Sequence, residues 1–245
     1  MARHSACDAQ GAGSGAPAGL PADLSDRFDP VIHDIPLGGH IFRILTVRDP
    51  DALLESVTPE AFAVDERLPY WAELWTSAFA LARVCLEEES LAGRTVLELG
   101  CGVGLAGIAA ARAGATVMLT DYEKDALTFA GWNADANLSA GQRSRVILRH
   151  CDWRAPGSPG VFDVLLGADI VYERGAFAPL LRLFRQTLAP RGYALLAEPD
   201  RAMGRDFFAF AAQEGFLVDT QSMAVERRQR TTSVTIARIR RGALA

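Results

Sequence analysis

The segment Thr95-Val-Leu-Glu-Leu-Gly-Cys-Gly-Val-Gly104 constrains this chain more than any other part of it. An apolar, β-branched run breaks into alternating glycines and then into an alanine-rich stretch, so the backbone passes from strand through a tight turn into helix. Glycines in such a turn let backbone N–H groups come close to a ligand. A second strand of the same type, Ala115-Thr-Val-Met-Leu-Thr-Asp121, ends on a carboxylate. At the tip of the next parallel strand, Asp121 is placed to accept both hydroxyls of a ribose. The pair of segments reads as a site for a nucleoside-bearing cofactor.

Two cofactor classes fit the letters. Gly102, Gly104 and Gly107 satisfy the dinucleotide pattern G-x-G-x-x-G, whereas Glu98, Gly100, Gly102 and Gly104 satisfy E-x-G-x-G-x-G. The second pattern accounts for more residues. A dinucleotide loop wants the helix to start tightly for a pyrophosphate and has no use for Glu98, while an acid on the strand before the loop suits a ligand with an amino group. Cys101 sits inside the loop, where a small residue is needed. No histidine lies near it in sequence to make it a nucleophile.

Strand and helix patterns alternate along the rest of the chain. Helices are expected over Ser77–Glu88, with Thr76 or Ser77 as N-cap, and over Leu105–Ala113, stopped by Gly114. Further helices are expected over Glu123–Asn137, over Ala176–Leu188, ended by Pro190, and around Phe207–Glu214. The strands between them are Thr95–Leu99, Val117–Thr120, Val146–Arg149, Phe162–Ala168 and Tyr193–Ala197. Ile41–Val47 reads as a strand in an N-terminal hairpin region. The chain closes on two strands, Phe216–Asp219 and Ser233–Ile239, with no helix between them. Alternation of this kind gives a parallel sheet, and a direct strand-to-strand return gives an antiparallel hairpin. The expected fold is α/β and Rossmann-like: a mostly parallel sheet with helices on both faces and a C-terminal antiparallel hairpin.

Length suits one domain of ordinary size, 245 residues in all. Residues 1–24, rich in Ala, Gly, Ser and Pro, read as a disordered tail. Residues 25–245 read as a single domain with an N-terminal extension to about residue 70. No apolar run approaches the roughly 18–20 residues of a membrane span. The four cysteines, Cys7, Cys85, Cys101 and Cys151, contain no C-x-x-C pair and read as reduced thiols of a cytoplasmic protein. His4, His33, His40 and His150 lack metal-ligand spacing, so no metal is expected. A formal net charge of −5 argues against nucleic acid, and the arginines at 227–230 and 238–241 read as a solvated hairpin.

In a parallel sheet the ligand lies across the carboxyl ends of the strands, at the point where strand order reverses. The strand tips can therefore be read for chemistry. After Val146–Arg149 comes Asp152-Trp153, an acid to accept from an exocyclic amine and a flat ring to wall an adenine. After Phe162–Ala168, the small Ala168 leaves room for a cofactor, and Asp169 and Tyr172 face the reacting centre.

These residues carry a resemblance. The loop is similar to that of the class I S-adenosylmethionine-dependent methyltransferases. Together with Leu68-Pro-Tyr-Trp-Ala-Glu-Leu-Trp75, Asp152-Trp153 and the Asp-x-x-Tyr at Asp169–Tyr172, the chain resembles the seven-strand protein-lysine methyltransferases of methyltransferase family 16. Pro69-Tyr-Trp-Ala72 is most like the branch that methylates lysines of the electron-transfer flavoprotein β-subunit. The likeness spans roughly Pro69–Pro199. It implies a seven-stranded sheet and S-adenosyl-L-methionine as cofactor. It further implies Trp75 lying against the cofactor, Gly100 to Gly102 as the methionine-binding turn, Asp121 on the ribose, Trp153 on the adenine and Ala168 as a contact. Asp169 and Tyr172 are implied at the mouth of a lysine channel. The expected partner is a protein that presents a lysine, and the chain is expected to act as a monomer. Three alternatives remain open: a small-molecule acceptor such as an amine or a nicotinamide-like nitrogen, a cofactor-binding module without catalysis, and a nicotinamide-dinucleotide oxidoreductase, the last opposed by Glu98 and the terminal hairpin. Asp34-Ile-Pro-Leu-Gly-Gly-His-Ile-Phe42 has no obvious counterpart in the flavoprotein-modifying branch.

Overall fold

The computed structural model describes residues 22–55, 57–58, 68–157, 159–227 and 229–242. Its centre is a seven-stranded sheet made of β3 (Thr95–Leu99), β4 (Thr116–Asp121), β5 (Val146–His150), β6 (Phe162–Ala168), β7 (Leu188–Pro199), β8 (Phe216–Arg227) and β9 (Arg230–Arg241), in the spatial order β5-β4-β3-β6-β7-β9-β8. All pairings are parallel except those of β9, which runs antiparallel to both β7 and β8. The order reverses between β3 and β6, so a crevice opens at their carboxyl ends.

Helices cover both faces because the strand residues alternate between two apolar clusters. Val96, Val164 and Leu166 point to one face, where α3 (Thr76–Glu87), α4 (Leu105–Arg112) and α5 (Lys124–Asn137) contribute Leu81, Ile108 and Phe129. Leu97, Leu99 and Leu165 point to the other, against α7 (Phe177–Thr187) and α8 (Ala202–Gln213), where Leu180, Phe184 and Phe207 are fully buried. Two short helices, α2 (Pro50–Glu55) and α6 (Ala140–Arg143), complete the set, together with the N-terminal α1 (Ala22–Arg27). Ser139 caps α6 in a reciprocal capping box with Gln142.

The tail expected for residues 1–24 lies outside the described residues up to 21. Residues 22–24 belong to α1, where Leu24 is buried in the main core. After α1, β1 (Pro30–Leu37) and β2 (His40–Val47) form a two-stranded antiparallel sheet apart from the main one. Two asparagines of α5 tie it down. Asn133, fully buried, accepts from the Leu45 N–H at 2.7 Å and donates to the carbonyls of Leu45 at 3.1 Å and Val103 at 2.9 Å. Asn137 bridges the N–H and carbonyl of Arg43 in the same way.

Three boundaries differ from the sequence reading, each for a physical reason. Trp75, extended and without a side-chain cap, precedes α3 in place of Thr76 or Ser77. The strand after α7 begins at Leu188, since Pro190 cannot join a ladder and residues 189–192 bulge out between the pairs Phe162–Leu188 and Val164–Tyr193. The terminal strands run 12 residues each, far longer than their apolar cores. Backbone pairing with β9 extends β8 through a mostly exposed polar stretch that shows no alternation. Three arginines of this hairpin are engaged within the chain. Arg227 meets Glu73 and the ring of Phe79, Arg238 meets Glu89 and stacks over Tyr193, and Arg240 pairs with Asp219.

Asn133→Ala should lower the unfolding free energy by about 3 kcal/mol, because three buried backbone groups lose their partner at once. Urea titration checks it; a loss below about 1 kcal/mol would mean that the β1–β2 sheet is held by its apolar contacts alone.

Candidate functional site

The crevice at the carboxyl ends of β3, β4 and β6 is a cleft with about 1280 Å³ of empty space, counted out to its open mouth. Its floor is the loop after β3, and its roof is the segment from Leu68 through the short 3-10 turn Tyr70–Ala72 to Trp75. Gly100, Cys101, Gly102, Glu98, Asp121, Asp152, Trp153, Trp75, Ala168, Asp169 and Tyr172 all line it. Gly104 does not. It has φ +86 at the start of α4, and its bare Cα faces Ala130 of α5, so its place is in the packing behind the loop.

Glycine is required at Gly100, where φ is +59 and a Cβ would stand 3.1 Å from both Trp153 and Ile170. The loop is held by acids from the strands on which it rests. Asp121 Oδ2 accepts the Gly102 N–H at 2.8 Å, and Oδ1 accepts the Glu123 N–H at 2.9 Å. Each oxygen keeps a second lone pair. The Asp121 side chain is buried, and burial raises its pKa against the opposing pull of those two N–H groups.

Glu98 has a use that the pattern did not disclose. Its Oε2 accepts the N–H of Gly107 in the first turns of α4 at 2.9 Å. Gly107 must be glycine, since a Cβ there would lie 2.2 Å from Leu119 and 2.4 Å from that same Oε2. Burial pushes the Glu98 carboxyl up to about 8, so at neutral pH it is largely a neutral acid anchoring helix to strand. Cys101 is buried, and burial with Asp121 and Glu98 nearby pushes its thiol well above 9; it is a protonated filler of the loop.

Trp75 turns its indole N–H to the Tyr70 carbonyl at 2.9 Å and stands edge-to-face with the Tyr70 ring. Trp71 is a core aromatic, packed on Phe28 and Phe129. Asp152 lines the cleft, but both of its oxygens are engaged by Arg154, at 2.9 Å from Nη2 and 3.0 Å from Nε. The Arg154 guanidinium also lies 5.9 Å from the centre of the Tyr122 ring.

On the far side of Ala168, Asp169 has a left-handed backbone, φ +55, and a side chain only 7% exposed. One of its oxygens faces Arg201 Nη1 at 3.3 Å, while the other, Oδ2, has no hydrogen-bond partner. Burial raises its pKa and Arg201 opposes the rise. Tyr172 is 47% exposed at the mouth and meets the ring of Tyr70 edge-on at 5.7 Å. Its phenol is pushed up to about 12 by desolvation and by Glu173, Asp121 and Tyr70, so it stays neutral.

Tyr70, Tyr122, Arg154 and Glu173 line the cleft without having been singled out from the sequence. Tyr70 lies in the tryptophan segment and Tyr122 directly follows Asp121, and those adjacencies were the available signal. Among the described residues, no group of three or more His, Cys, Asp or Glu side chains is set to hold a metal ion. No helix there is long and apolar enough to cross a membrane.

A sheet of this order with its cleft at the switch point is the methyltransferase fold. It superimposes on magnesium protoporphyrin IX methyltransferase from Synechocystis PCC 6803, solved with bound SAM, at a TM-score of 0.55 and 18% identity, over 80% of this chain and 98% of that one. The sequence profile of the lysine methyltransferases matches residues 70–214, and the chain belongs to that family. Protein N-lysine methyltransferase METTL21A of Mus musculus is 35% identical over 130 residues, 51% of this chain and 59% of that protein. EEF1A lysine methyltransferase 3 of Mus musculus is 36% identical over 137 residues, 56% of this chain and 59% of that protein. The chain thus matches about three-fifths of the length of these curated relatives.

The buried acid of β3 sets a pH test. The folded protein holds a proton on Glu98 up to about 8, whereas the unfolded chain releases it near 4.5. Between those values unfolding releases a proton, so the Glu98 contribution falls as pH rises, by up to about 1.4 kcal/mol per unit. Glu98→Gln cannot titrate. Its stability relative to the unsubstituted protein should improve steadily from about pH 5 to about pH 8, measured by urea titration. A constant difference would show that Glu98 does not titrate in that window.

Proposed function

We propose that this chain is an S-adenosylmethionine-dependent N-methyltransferase whose acceptor is a lysine side chain of a protein. The observation that carries the reading is one cleft in which the glycine loop and Asp121 meet Asp169 and Tyr172, in a chain of the lysine methyltransferase family. The bare backbone at Gly100, between Trp153 and Ile170, is the sort of cradle that a Cβ would fill. The spare lone pairs of Asp121 suit a ribose. Gly100 to Gly102 would hold the methionine part of the cofactor, Asp121 the ribose, Trp153 the adenine, and Trp75 and Ala168 the remaining walls. Bound there, S-adenosylmethionine supplies an electrophilic methyl group on a cationic sulfur.

The chain's own residues then have to deliver a neutral amine. A lysine ammonium titrates near 10.4 in model peptides, so the acceptor must lose a proton before its nitrogen can form a bond. The Asp169 carboxylate, in the lining of the cleft, attracts the ammonium. Desolvation in the cleft lowers the pKa of the amine, and the neutral phenol of Tyr172 fixes the direction of its lone pair. Alignment of the nitrogen removes most of the entropic cost of an in-line displacement, and no covalent nucleophile is required. The free, buried thiols of Cys85, Cys101 and Cys151 support a reducing compartment, the cytoplasm, as the working place.

Purified protein incubated with tritiated S-adenosylmethionine and a cell lysate should put label into a discrete protein band. Label confined to the small-molecule fraction would move the acceptor to a small amine or a nicotinamide-like nitrogen. By calorimetry S-adenosylhomocysteine should bind and NAD should give no comparable signal. Asp121→Ala should weaken that binding about tenfold or more, through the loss of charge-assisted hydrogen bonds. Asp169→Ala should abolish turnover with the affinity for S-adenosylhomocysteine nearly unchanged, the mark of a residue that acts on the acceptor side. Near-normal methyl transfer by both Asp169→Ala and Tyr172→Phe would overturn the lysine-channel reading.

A further inference from the structure

We infer that Glu198, at the carboxyl end of β7, is the positioning residue that sets Asp169 for the acceptor. The inference rests on the reading of Asp169 given above. Nothing in the sequence marks Glu198: it follows the apolar run Tyr193 to Ala197 and precedes a proline, and a surface turn would look the same.

The structure buries it, with 2% of its surface exposed. Its Oε1 accepts the N–H of Ile170 at 3.0 Å and of Val171 at 3.2 Å, both in the loop that follows β6. The preceding residue, Asp169, donates its own N–H to the carbonyl of Ala197 at 2.9 Å. Three successive N–H groups of the β6 loop are therefore fastened to two successive residues of β7. Between the ladder and this clamp the chain must turn, and it does so at Asp169, the one described non-glycine residue besides Gln229 with a positive φ.

A left-handed backbone is costly for an L residue and persists only where its surroundings over-determine it. Aspartate tolerates it better than most. The Asp169 side chain is only 7% exposed, and the residue belongs to the lining of the cleft with its Oδ2 enclosed and without a hydrogen-bond partner. The clamp is itself backed by α8, where Gly204 brings its Cα against Glu198, a Cβ there falling 3.2 Å from the Glu198 Cβ. The charged groups acting on Glu198 are Asp169, on the loop after β6, and Arg201, just before α8. Arg201 pairs with Asp169 and not with Glu198, which keeps the two acids in different roles. Asp169 meets the acceptor, and Glu198 holds the peptide groups that aim it.

Glu198→Gln keeps an acceptor oxygen for both N–H groups, while Glu198→Ala removes it. The alanine variant is expected to lose on the order of a hundredfold in kcat for the methyl acceptor, the scale on which a misplacement of about 1 Å acts. Its affinity for S-adenosylhomocysteine by calorimetry should stay within about twofold, because the hydrogen bonds that hold the loop after β3 come from Asp121 and do not involve Glu198. The glutamine variant should recover most of kcat. Amide hydrogen exchange at Ile170 and Val171 provides a readout apart from turnover: slow in the unsubstituted protein and in Glu198→Gln, fast in Glu198→Ala. If the alanine variant does not fold, Glu198→Asp, which withdraws the acceptor by one methylene, takes its place with the same expectations. Normal kcat in the alanine or aspartate variant, or loss of cofactor-product binding in parallel with turnover, overturns the inference. Asp169→Ala made alongside separates the two claims: if it is inactive while Glu198→Ala is active, the role of Asp169 stands and that of Glu198 falls. If Asp169→Ala is active, the acceptor-side reading itself has failed.

Discussion

At the carboxyl edge of the parallel sheet the chain leaves the ladder, and the N–H groups of the loops and of the first helix turn that follow need acceptors in buried or half-buried places. The answer is the same in three places. Glu98 of β3 takes the Gly107 N–H, Asp121 of β4 takes those of Gly102 and Glu123, and Glu198 of β7 takes those of Ile170 and Val171. Each acid is buried, and in each burial raises the pKa while the N–H groups pull it back. A hydrogen bond to such a group contributes about 1.5–3 kcal/mol when charged, and the uncompensated N–H would cost a similar amount. Desolvation of the acid and satisfaction of the loop therefore roughly offset, and what remains is geometry: the loops on either side of the switch point are fixed relative to the strands that carry them.

That arrangement explains why one sequence pattern fitted two cofactor classes. The two patterns share Gly102 and Gly104, and two letters they do not share, Gly107 and Glu98, are partners in one contact, helix N–H to strand carboxyl. Gly107 serves close helix–strand packing, and Gly100 serves the floor of the cleft. The letters describe a strand, a turn and a helix that must come close together. What separates the two classes lies elsewhere, in the antiparallel β7–β9–β8 edge.

Most of the sheet was legible in the sequence because its central strands are short apolar runs closed by glycine or a carboxylate. Phe162–Ala168 has the bounds expected of it, and Thr95–Leu99 likewise. The strand order was not read from the sequence, since no periodicity gives it. What could not be read follows from contacts that leave no local trace. β8 is extended by pairing with β9 and not by its own pattern, so Thr220, Gln221 and Ser222 gave no sign of it. Trp75 stands where a polar cap was expected, with no side chain accepting the first N–H groups of α3, and its indole N–H goes to the Tyr70 carbonyl. At the cleft, eleven of the twelve residues singled out from the sequence lie in its lining and Gly104 lies behind it. Their roles were less legible than their positions: Asp152 is engaged by Arg154, and Glu98 by Gly107.

The N-terminal extension bears on the site through an aromatic contact set. Phe28, just after α1, stands edge-on to Trp71 at 5.4 Å and to Phe129 of α5 at 5.8 Å, and Trp71 meets Phe129 at 5.2 Å. Trp71 belongs to the 3-10 turn that roofs the cleft, and its carbonyl lies 3.2 Å from where a Cβ on Gly102 would stand. The roof is thus pinned from behind by the extension and from below by the glycine loop. On its outer side Arg227 of the terminal hairpin reaches the Leu74 carbonyl and Glu73. A segment held at three points by elements from both ends of the chain has little freedom to open without disturbing the core. The exposed members of the lining include Tyr70 and Tyr172, 38% and 47% exposed, whose rings stand together. The two rings touch, 5.7 Å between centroids, so on the proposed reading an acceptor side chain would run beside the pair, and not between its members, to reach Asp169.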